Sequence, residues 1–157
     1  TVMAFSGNAL CNSFKKELLE AGHNFKNSGG SAFKLALFDN NAVPSDMGGS
    51  GSTMDASVTN YATNNEITGS GYTAKGEALT RVNPSLDSST AITDFTDLVF
   101  STVTISAVRG AVIFNDDASN DASVCVLDFG GDKAASAGDF TVVFPTANAS
   151  NAIIRIA

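Results

Sequence analysis

The side chains best suited to nucleophilic catalysis in this chain are one histidine and two cysteines. Cys11 lies in a helical pattern that His23 follows closely, so a thiol–imidazole pair is one chemistry to weigh. That chemistry also needs a third group to orient the imidazole, and an open pocket. No Gly-x-Ser-x-Gly motif surrounds a serine. We therefore expect His23 to be a polar loop or helix-end residue, and we predict no catalytic residue.

The densest group of oxygen ligands is a short polar segment between two apolar runs. It contains Asn115, Asp116, Asp117, Asn120 and Asp121, and hard cations such as Ca²⁺ accept such ligands. The spacing lacks the central glycine and the glutamate at position twelve of an EF-hand loop. Histidine and cysteine are too few to close a zinc site. We interpret the segment as a solvated turn, and we predict no metal.

A carboxylate pair and two glycine-rich segments suggest further chemistry that their context does not favour. Asp94 and Asp97 have a spacing that invites a glycosidase, but a sugar cleft is normally lined by aromatic rings. The chain has no tryptophan and two tyrosines, Tyr61 and Tyr72. Residues 69–72 and 130–133 lack the Lys-Ser/Thr end of a phosphate-binding loop, so their glycines are interpreted as turn residues. We expect no cofactor and no enzymatic activity.

The first element that could position these residues is a single helix. Leu10, Phe14 and Leu18 recur every four residues, which predicts a helix over about 9–21. Asn8 or Asn12 could cap its start, and Gly22 could occupy the left-handed position after its end. Residues 1–7 precede it as an N-terminal arm.

After residue 31 the hydrophobic period changes from four to two. Phe33, Leu35 and Leu37 alternate with less apolar residues and predict a half-buried strand. Residues 39–57 hold a Gly/Ser-rich run and are predicted to form a long, mobile surface loop. Further strands are predicted over 77–82 (ended by Pro84), 91–95, 98–100, 103–107, 108–114, 123–129, 140–144 and 152–156. Seven or eight short strands predict an antiparallel, jelly-roll-like β-sandwich, with residues 1–157 as a single domain.

Composition limits the partners and the compartment. Sixteen acidic and nine basic residues give a net charge of −7, and the basic residues are scattered, so nucleic acid is not an expected partner. No basic segment leads into an apolar run, and no apolar run approaches the roughly 20 residues that span a bilayer, so we expect a protein made in the cytosol with no membrane partner. Cys11 and Cys125 are interpreted as buried hydrophobic residues in preference to a disulfide, but the sequence does not say whether they meet.

Several segments resemble a group of small structural proteins of tailed-bacteriophage and prophage virions. They are the helical segment 10–19, the Phe-Lys-Leu-Ala-Leu strand 33–37, and residues 127–132 and 136–140. Residues 65–76, NEITGSGYTAKG, are similar to the Asn-Glu-Val-Ser-Gly-Thr-Gly-Tyr-Thr-Ala-Gly-Gly of that group and are the most specific match. The likeness covers most of the chain from Leu10 onward. Lys75 stands where the group has glycine, and the Gly/Ser-rich run at 48–52 is a departure.

The resemblance implies a virion structural component with no catalytic residues. Our first hypothesis is a capsid decoration or cement protein on the outside of the head, with the major capsid protein and itself, as a trimer or dimer, as partners. A tail, neck or fibre (adhesion) component is the alternative, and a small glycan-binding module using Tyr61 and Tyr72 is a third class. Removal of residues 1–7 is predicted to leave a folded domain that no longer binds shells. The residues predicted to make intersubunit contacts are Val2, Met3, Phe5, Ile153, Ile154 and Ile156.

Overall fold

Alternating apolar side chains organise this chain into two antiparallel sheets that pack as a β-sandwich with one helix. The computed structural model describes residues 4–157. In it, 45% of the residues are in strands and 8% in helix. The predicted fold class, mainly β with one short helix near the N-terminus, is confirmed.

The elements follow one another along the described residues as eight strands, one helix and one short 3-10 turn. They are β1 (Ala9–Leu10), α1 (Asn12–Leu19), β2 (Phe33–Phe38), the 3-10 turn (Pro44–Met47), β3 (Glu77–Ala78), β4 (Arg81–Asp87), β5 (Thr90–Phe95), β6 (Leu98–Asn115), β7 (Ser123–Val142) and β8 (Ile154–Ile156). Five strands form one sheet in the order β1-β7-β6-β2-β3, and three form the other in the order β4-β5-β8.

Strand β2 crosses the middle of the core. It pairs with β6 from Phe33–Asn115 to Phe38–Gly110. Leu35, Ala36 and Leu37 all have no exposed surface, so both faces of the strand are covered. The prediction of a half-buried strand is therefore wrong, because residues from outside the strands cover the second face.

Strands β6 and β7 are 18 and 20 residues long, where the sequence predicted several short strands. Their ladder shifts register at several points, and Thr102, Ala107, Gly130 and Ala137 adopt positive φ at those shifts. Such shifts are β-bulges, which bend a strand without ending it. The Gly130-Gly131 pair was therefore wrongly interpreted as a turn between two strands.

Pro84 does not end its strand. Strand β4 continues through it to Asp87, and its register with β5 shifts between Val82 and Ser85. Strand β4 lies at the edge of the three-stranded sheet. An edge strand with a bulge tolerates proline, because no ladder partner needs the missing N–H.

Helix α1 is shorter than predicted. Cys11 precedes its first residue, and no side chain caps that end, so neither Asn8 nor Asn12 is the cap. Ala21, not Gly22, takes the left-handed conformation after the helix, with φ of 59°. The helix buries Phe14 against the sheet, whereas Leu19 is 91% exposed.

The segment 39–57 contributes to the core, contrary to the prediction of a mobile surface loop. Ala42, Met47 and Met54 are buried within it and belong to the hydrophobic core. The backbone N–H of Thr59 donates to the carbonyl of Met47 at 2.9 Å. The Gly/Ser-rich run is an exposed excursion on an otherwise packed segment.

The N-terminal segment also packs inside the domain. Phe5 is 1% exposed, and its ring occupies space that a side chain at Gly110 would fill. Its backbone forms a bridge to Met54. Removing residues 1–7 would therefore open a cavity, so that truncation cannot separate folding from binding. Val2 and Met3 lie outside the described residues.

Candidate functional site

A connected group of polar side chains is centred on Glu66, within the segment 65–76. One carboxylate oxygen accepts a hydrogen bond from the Tyr61 hydroxyl. The other accepts from the Tyr72 hydroxyl at 2.8 Å and from the backbone N–H of Lys75 at 2.9 Å. The Tyr72 hydroxyl in turn accepts from the backbone N–H of Leu37 in β2 at 2.9 Å. These contacts tie the segment to strand β2.

Burial and the negative charge of Glu66 raise the pKa of both tyrosines, so each is a weaker acid than a free tyrosine. Burial raises the pKa of Tyr61 well above its usual 10, and the hydrogen bond to Glu66 and its negative charge raise it further. Burial raises the pKa of Tyr72 as well, and the charge and hydrogen bond of Glu66 add to that effect, while the bond from Leu37 opposes it. Tyr61 is 7% exposed and stacks on Phe114, so its ring does not offer a sugar-binding platform.

Lys75 joins the Glu66 cluster to the turn 116–122. Its ammonium lies 2.9 Å from a carboxylate oxygen of Asp116 and 2.9 Å from one of Asp121. Lys34 reaches the second oxygen of Asp116, also at 2.9 Å. Burial acts to raise the pKa of Asp116, but the hydrogen bonds and charges of the two lysines outweigh it and hold that pKa below its ordinary value. The carboxylates of this acidic turn are thus paired with the ammonium groups of Lys34 and Lys75.

Glycines in the segment 65–76 are required by close backbone contacts. A side chain at Gly76 would collide with the carbonyl oxygen of Leu35, and Gly76 has φ of +64°. Gly71 has φ of +79° and lies 2.8 Å, at its would-be Cβ, from the carbonyl oxygen of Thr102. Lys75 also has positive φ, 72°, a conformation that suits the glycine of the resembling proteins. The segment therefore lies close against β6 at Gly71 and close against β2 at Gly76.

His23 lies in the loop that follows α1, in keeping with the prediction of a polar loop or helix-end residue, and its side chain is buried there. Its Nε2 lies 2.8 Å from a Glu17 carboxylate oxygen, and Asn115 Nδ2 donates to its Nδ1 at 3.1 Å. Asn115 Oδ1 accepts from the backbone N–H of Asp117, which fixes the orientation of the amide. The ring therefore accepts at Nδ1 and donates to Glu17 from Nε2. It packs between Phe14 and Phe33.

The two carboxylates weighed as a glycosidase pair both accept hydrogen bonds from backbone N–H groups. Asp94 is 1% exposed and accepts hydrogen bonds from the N–H groups of Phe95 and Ile153. Burial raises its pKa, and those two bonds partly oppose the shift. Asp97 accepts from the N–H of Phe144 at 2.8 Å. Asp94 and Asp97 thus hold different backbone segments in place.

Cys11 and Cys125 are free, buried thiols that lie on paired segments. Leu10 pairs with Cys125, and the N–H of Cys11 donates to the carbonyl of Val124 at 2.9 Å. Burial raises the pKa of Cys11 to about 11, and burial also raises that of Cys125. Raised thiol pKa values describe unreactive cysteines.

The predicted intersubunit residues have different surroundings. Phe5 and Ile154 are buried within the chain itself, so their side chains are not at the surface and the two assignments lose their basis. Ile153 is half-buried, and it lines a groove of about 450 Å³ between β1, β7 and β8. Ile156 is 56% exposed. Of the predicted set within residues 4–157, Ile153 and Ile156 can therefore meet a partner.

Ile156 belongs to an apolar surface that the sequence did not reveal. Leu86, Ala91 and Ile156 are directly paired across β4, β5 and β8, so they project from one face of the sheet. We call these three residues the apolar shelf. Leu86 is 73% exposed. Leu86 was not predicted, because Pro84 was interpreted as the end of its strand, and the bulge between Val82 and Ser85 places Leu86 on the opposite face from Val82.

Beside the shelf lies a groove of about 410 Å³, which we call the shelf groove. Helix α1 and the loop after it form one wall, and β5 and β8 form the other. Four polar or charged residues line it, and the apolar residues of the lining are Leu18, Ala21, Phe25, Pro84, Ala91, Ile92, Ile154 and Ile156. Of the five large exposed apolar residues in the described part of the chain, Ile156 lines this groove, and Leu86 is joined to it across the sheet through Ala91.

Comparison of the chain with family models, curated proteins and solved structures found no match. Within residues 4–157, no helix is long and apolar enough to cross a membrane. In the same residues, no group of three or more His, Cys, Asp or Glu side chains is placed to hold a metal ion.

Proposed function

We propose that the chain is a structural component of a tailed-bacteriophage virion, a decoration or cement protein that binds the outside of the head. In this role it stabilises the shell through contacts between subunits and with the major capsid protein, and its work is binding and not catalysis. The observation that carries the proposal is the resemblance of residues 65–76 to virion proteins.

The geometry of residues 65–76 explains why a recurring sequence there would accompany this fold. Glu66 and Tyr72 supply the hydrogen bonds to the sheet, and Gly71 and Gly76 permit the close contacts with β6 and β2. The resembling residues are thus the ones that hold the loop on the sandwich. Likeness at these positions supports a shared scaffold, and the virion role is inferred from the proteins that share it.

The charge and the exposed apolar residues of the surface also suit a protein that binds the outside of a capsid. The net charge of −7 disfavours a position against the genome. Leu86 and Val143, each more than 70% exposed, offer apolar area on two parts of the surface. Burying such area contributes roughly 25 cal/mol per Å², and many symmetric copies multiply a small contribution per subunit.

Antibody labelling of intact particles tests the proposal. The full chain is used to raise antibodies, and particles induced from the source strain are examined by immunogold electron microscopy and by quantitative mass spectrometry. We expect label over the head and copy numbers on the order of hundreds, as a symmetric shell lattice requires.

Other labelling patterns would decide against all or part of the proposal. Label on the tail, neck or fibres at a few tens of copies or fewer would overturn the head location and favour the alternative virion role. Absence of the chain from purified particles would overturn the virion role altogether.

A further inference from the structure

We infer that the contact between His23 and Asn115 is an acid-sensitive latch, which holds the turn 115–121 closed only while the histidine ring carries a single proton. The inference concerns the isolated chain and does not depend on the proposed virion role. It starts from the position of the ring, which is buried and packs between Phe14 and Phe33. The ring is thus held in one place, and each of its nitrogen atoms faces one fixed partner.

The Asn115 amide is not free to turn over. Asn115 is buried, and its Oδ1 accepts a hydrogen bond from the backbone N–H of Asp117 at 3.1 Å. Its Nδ2 donates to the carbonyl oxygen of Gly22 at 3.3 Å and to Nδ1 of His23 at 3.1 Å. Both ends of the amide therefore have partners, and they join the turn between β6 and β7 to the loop that follows α1.

A second proton on His23 has no acceptor in this arrangement. A doubly protonated imidazole carries an N–H on each nitrogen, so the Nδ1–H would face the NH₂ group of Asn115, and a buried donor without an acceptor is unfavourable. Turning the amide over would present Oδ1 to the ring. It would also place the NH₂ group against the N–H of Asp117, and Oδ1 against the carbonyl oxygen of Gly22. Protonation of the ring therefore requires the hydrogen bond from Asp117 to open.

The charges around the ring direct this conflict to Asn115. Charged residues on the elements packed around the ring are Glu17 on α1, Lys26 in the loop after it, Lys34 on β2, and Asp116 and Asp117 in the turn. The residues of β5 and β8 that line the shelf groove beside His23 are uncharged. Asp94 and Arg155 alternate with them on the opposite face of that sheet. A carboxylate oxygen of Glu17 lies 2.8 Å from Nε2 and favours the positive ring, whereas the Asn115 amide disfavours it.

Opening of the Asp117 hydrogen bond loosens the other attachments of the turn. The Asp117 carboxylate accepts from the backbone N–H of Ala32 at 2.7 Å, and the N–H of Asp116 donates to the carbonyl oxygen of Ala32 at 2.8 Å. The Asp116 carboxylate also pairs with the ammonium group of Lys75 at 2.9 Å. Protonation of one ring is therefore transmitted to the residues before β2 and to the segment 65–76.

Nuclear magnetic resonance of the full chain tests the inference, because His23 is the only histidine. The pH is lowered from about 8 to about 5, the range in which histidine rings ordinarily gain a second proton. We expect the amide resonance of Asp117 to shift with the same midpoint as the ring nitrogens. The scalar coupling across the hydrogen bond between Asp117 and Asn115 should be lost at the acidic end.

Two variants, both checked for folding by circular dichroism, separate the latch from titrating carboxylates. His23→Gln retains an acceptor for Asn115 but has no titrating ring, so the Asp117 amide should stop responding over this range. In Asn115→Asp one carboxylate oxygen can accept from the protonated ring while the other accepts from Asp117. The ring should then titrate without a matching shift of the Asp117 amide.

Three results would overturn the latch. The first is titration of the wild-type ring while the Asp117 amide and its hydrogen bond stay unchanged. The second is an Asp117 shift that persists with the same midpoint in His23→Gln, which would assign it to a carboxylate. The third is a ring that gains its second proton only when the protein unfolds, because the turn would then not open in the folded chain.

Discussion

At the scale of single residues, Glu66 determines how the segment 65–76 is held. Its two carboxylate oxygens accept from both tyrosines and from the Lys75 backbone, so three donor groups depend on one side chain. A buried donor left without its acceptor costs about 1–3 kcal/mol. The tyrosines thus have a structural role, and their ionisation reports on the cluster.

The tyrosine titration gives the first prediction. Both pKa values are raised by burial and by Glu66, so near-ultraviolet absorbance of the native protein should show no tyrosinate near pH 10, whereas both tyrosines should ionise there in denaturant. The chain has two tyrosines and no tryptophan, so the signal is unambiguous. Because the folded-state pKa values are raised, the two protonated tyrosines contribute to folding stability below pH 10. That contribution is lost as the pH rises through the pKa values of the folded state.

Variants of two glutamates check that titration. Glu66→Gln removes the negative charge and should lower the native tyrosine pKa values and destabilise the protein by about 2 kcal/mol. Glu77→Gln, at an exposed position in β3, should change neither quantity. If both tyrosines of the wild-type protein ionised near pH 10 while its circular dichroism was still native, the role of Glu66 would be contradicted.

Single residues also show what the sequence could reveal. The importance of residues 65–76 was predicted from resemblance, but the acceptor role of Glu66 was not. The spacing of Tyr61, Glu66 and Tyr72 in the sequence does not predict that the loop folds back so that both hydroxyls reach the Glu66 carboxylate. The burial of His23 was missed for the same reason, because its partner Asn115 is distant in sequence.

At the scale of elements, the loop 65–76 is fixed by its backbone contacts, which gives the second prediction. Gly76→Ala should destabilise the protein by roughly 3 kcal/mol or more, because the new methyl group meets the Leu35 carbonyl oxygen at a positive φ. Gly131→Ala is the matched control, since a Cβ there meets nothing within 4 Å. Urea unfolding measures both. A Gly76→Ala variant as stable as the control would show that the loop moves freely.

The N-terminal segment gives the third prediction, which contrasts with its predicted role as an arm that contacts another subunit. Phe5→Ala should cost about 3–5 kcal/mol, the usual effect of emptying a buried phenylalanine site. Val143→Ala, at an exposed position, should change the free energy of unfolding by less than about 0.5 kcal/mol. Equal stability of the two variants in urea would place Phe5 outside the core.

The errors at this scale have a common physical cause. Period-two alternation predicted where strands lie, and β2, β5 and β8 match the predicted positions closely. Gly130 and Pro84 were taken as strand ends, yet both lie within strands that bulge around them. A bulge and a turn use the same residue types, and which one forms depends on whether a partner strand continues alongside.

At the scale of the whole molecule, the predicted single domain remains to be tested, and the two thiols provide a way to do so. Cys11 lies at the junction of β1 and α1, and Cys125 lies in β7. Both are buried, and burial raises both pKa values. A thiol reacts as its thiolate, so neither should react while the core is closed.

The fourth prediction is that both thiols react only through global unfolding. In a native protein treated with an aromatic disulfide reagent, mass spectrometry should show the two cysteines modified at the same rate. That rate should rise with urea as steeply as unfolding does, since one cooperative unit exposes its whole core together. Faster modification of Cys11 with Cys125 still protected would mean that α1 and the N-terminal segment open separately. The chain would then be two cooperative units, and Phe5 would belong to the weaker one.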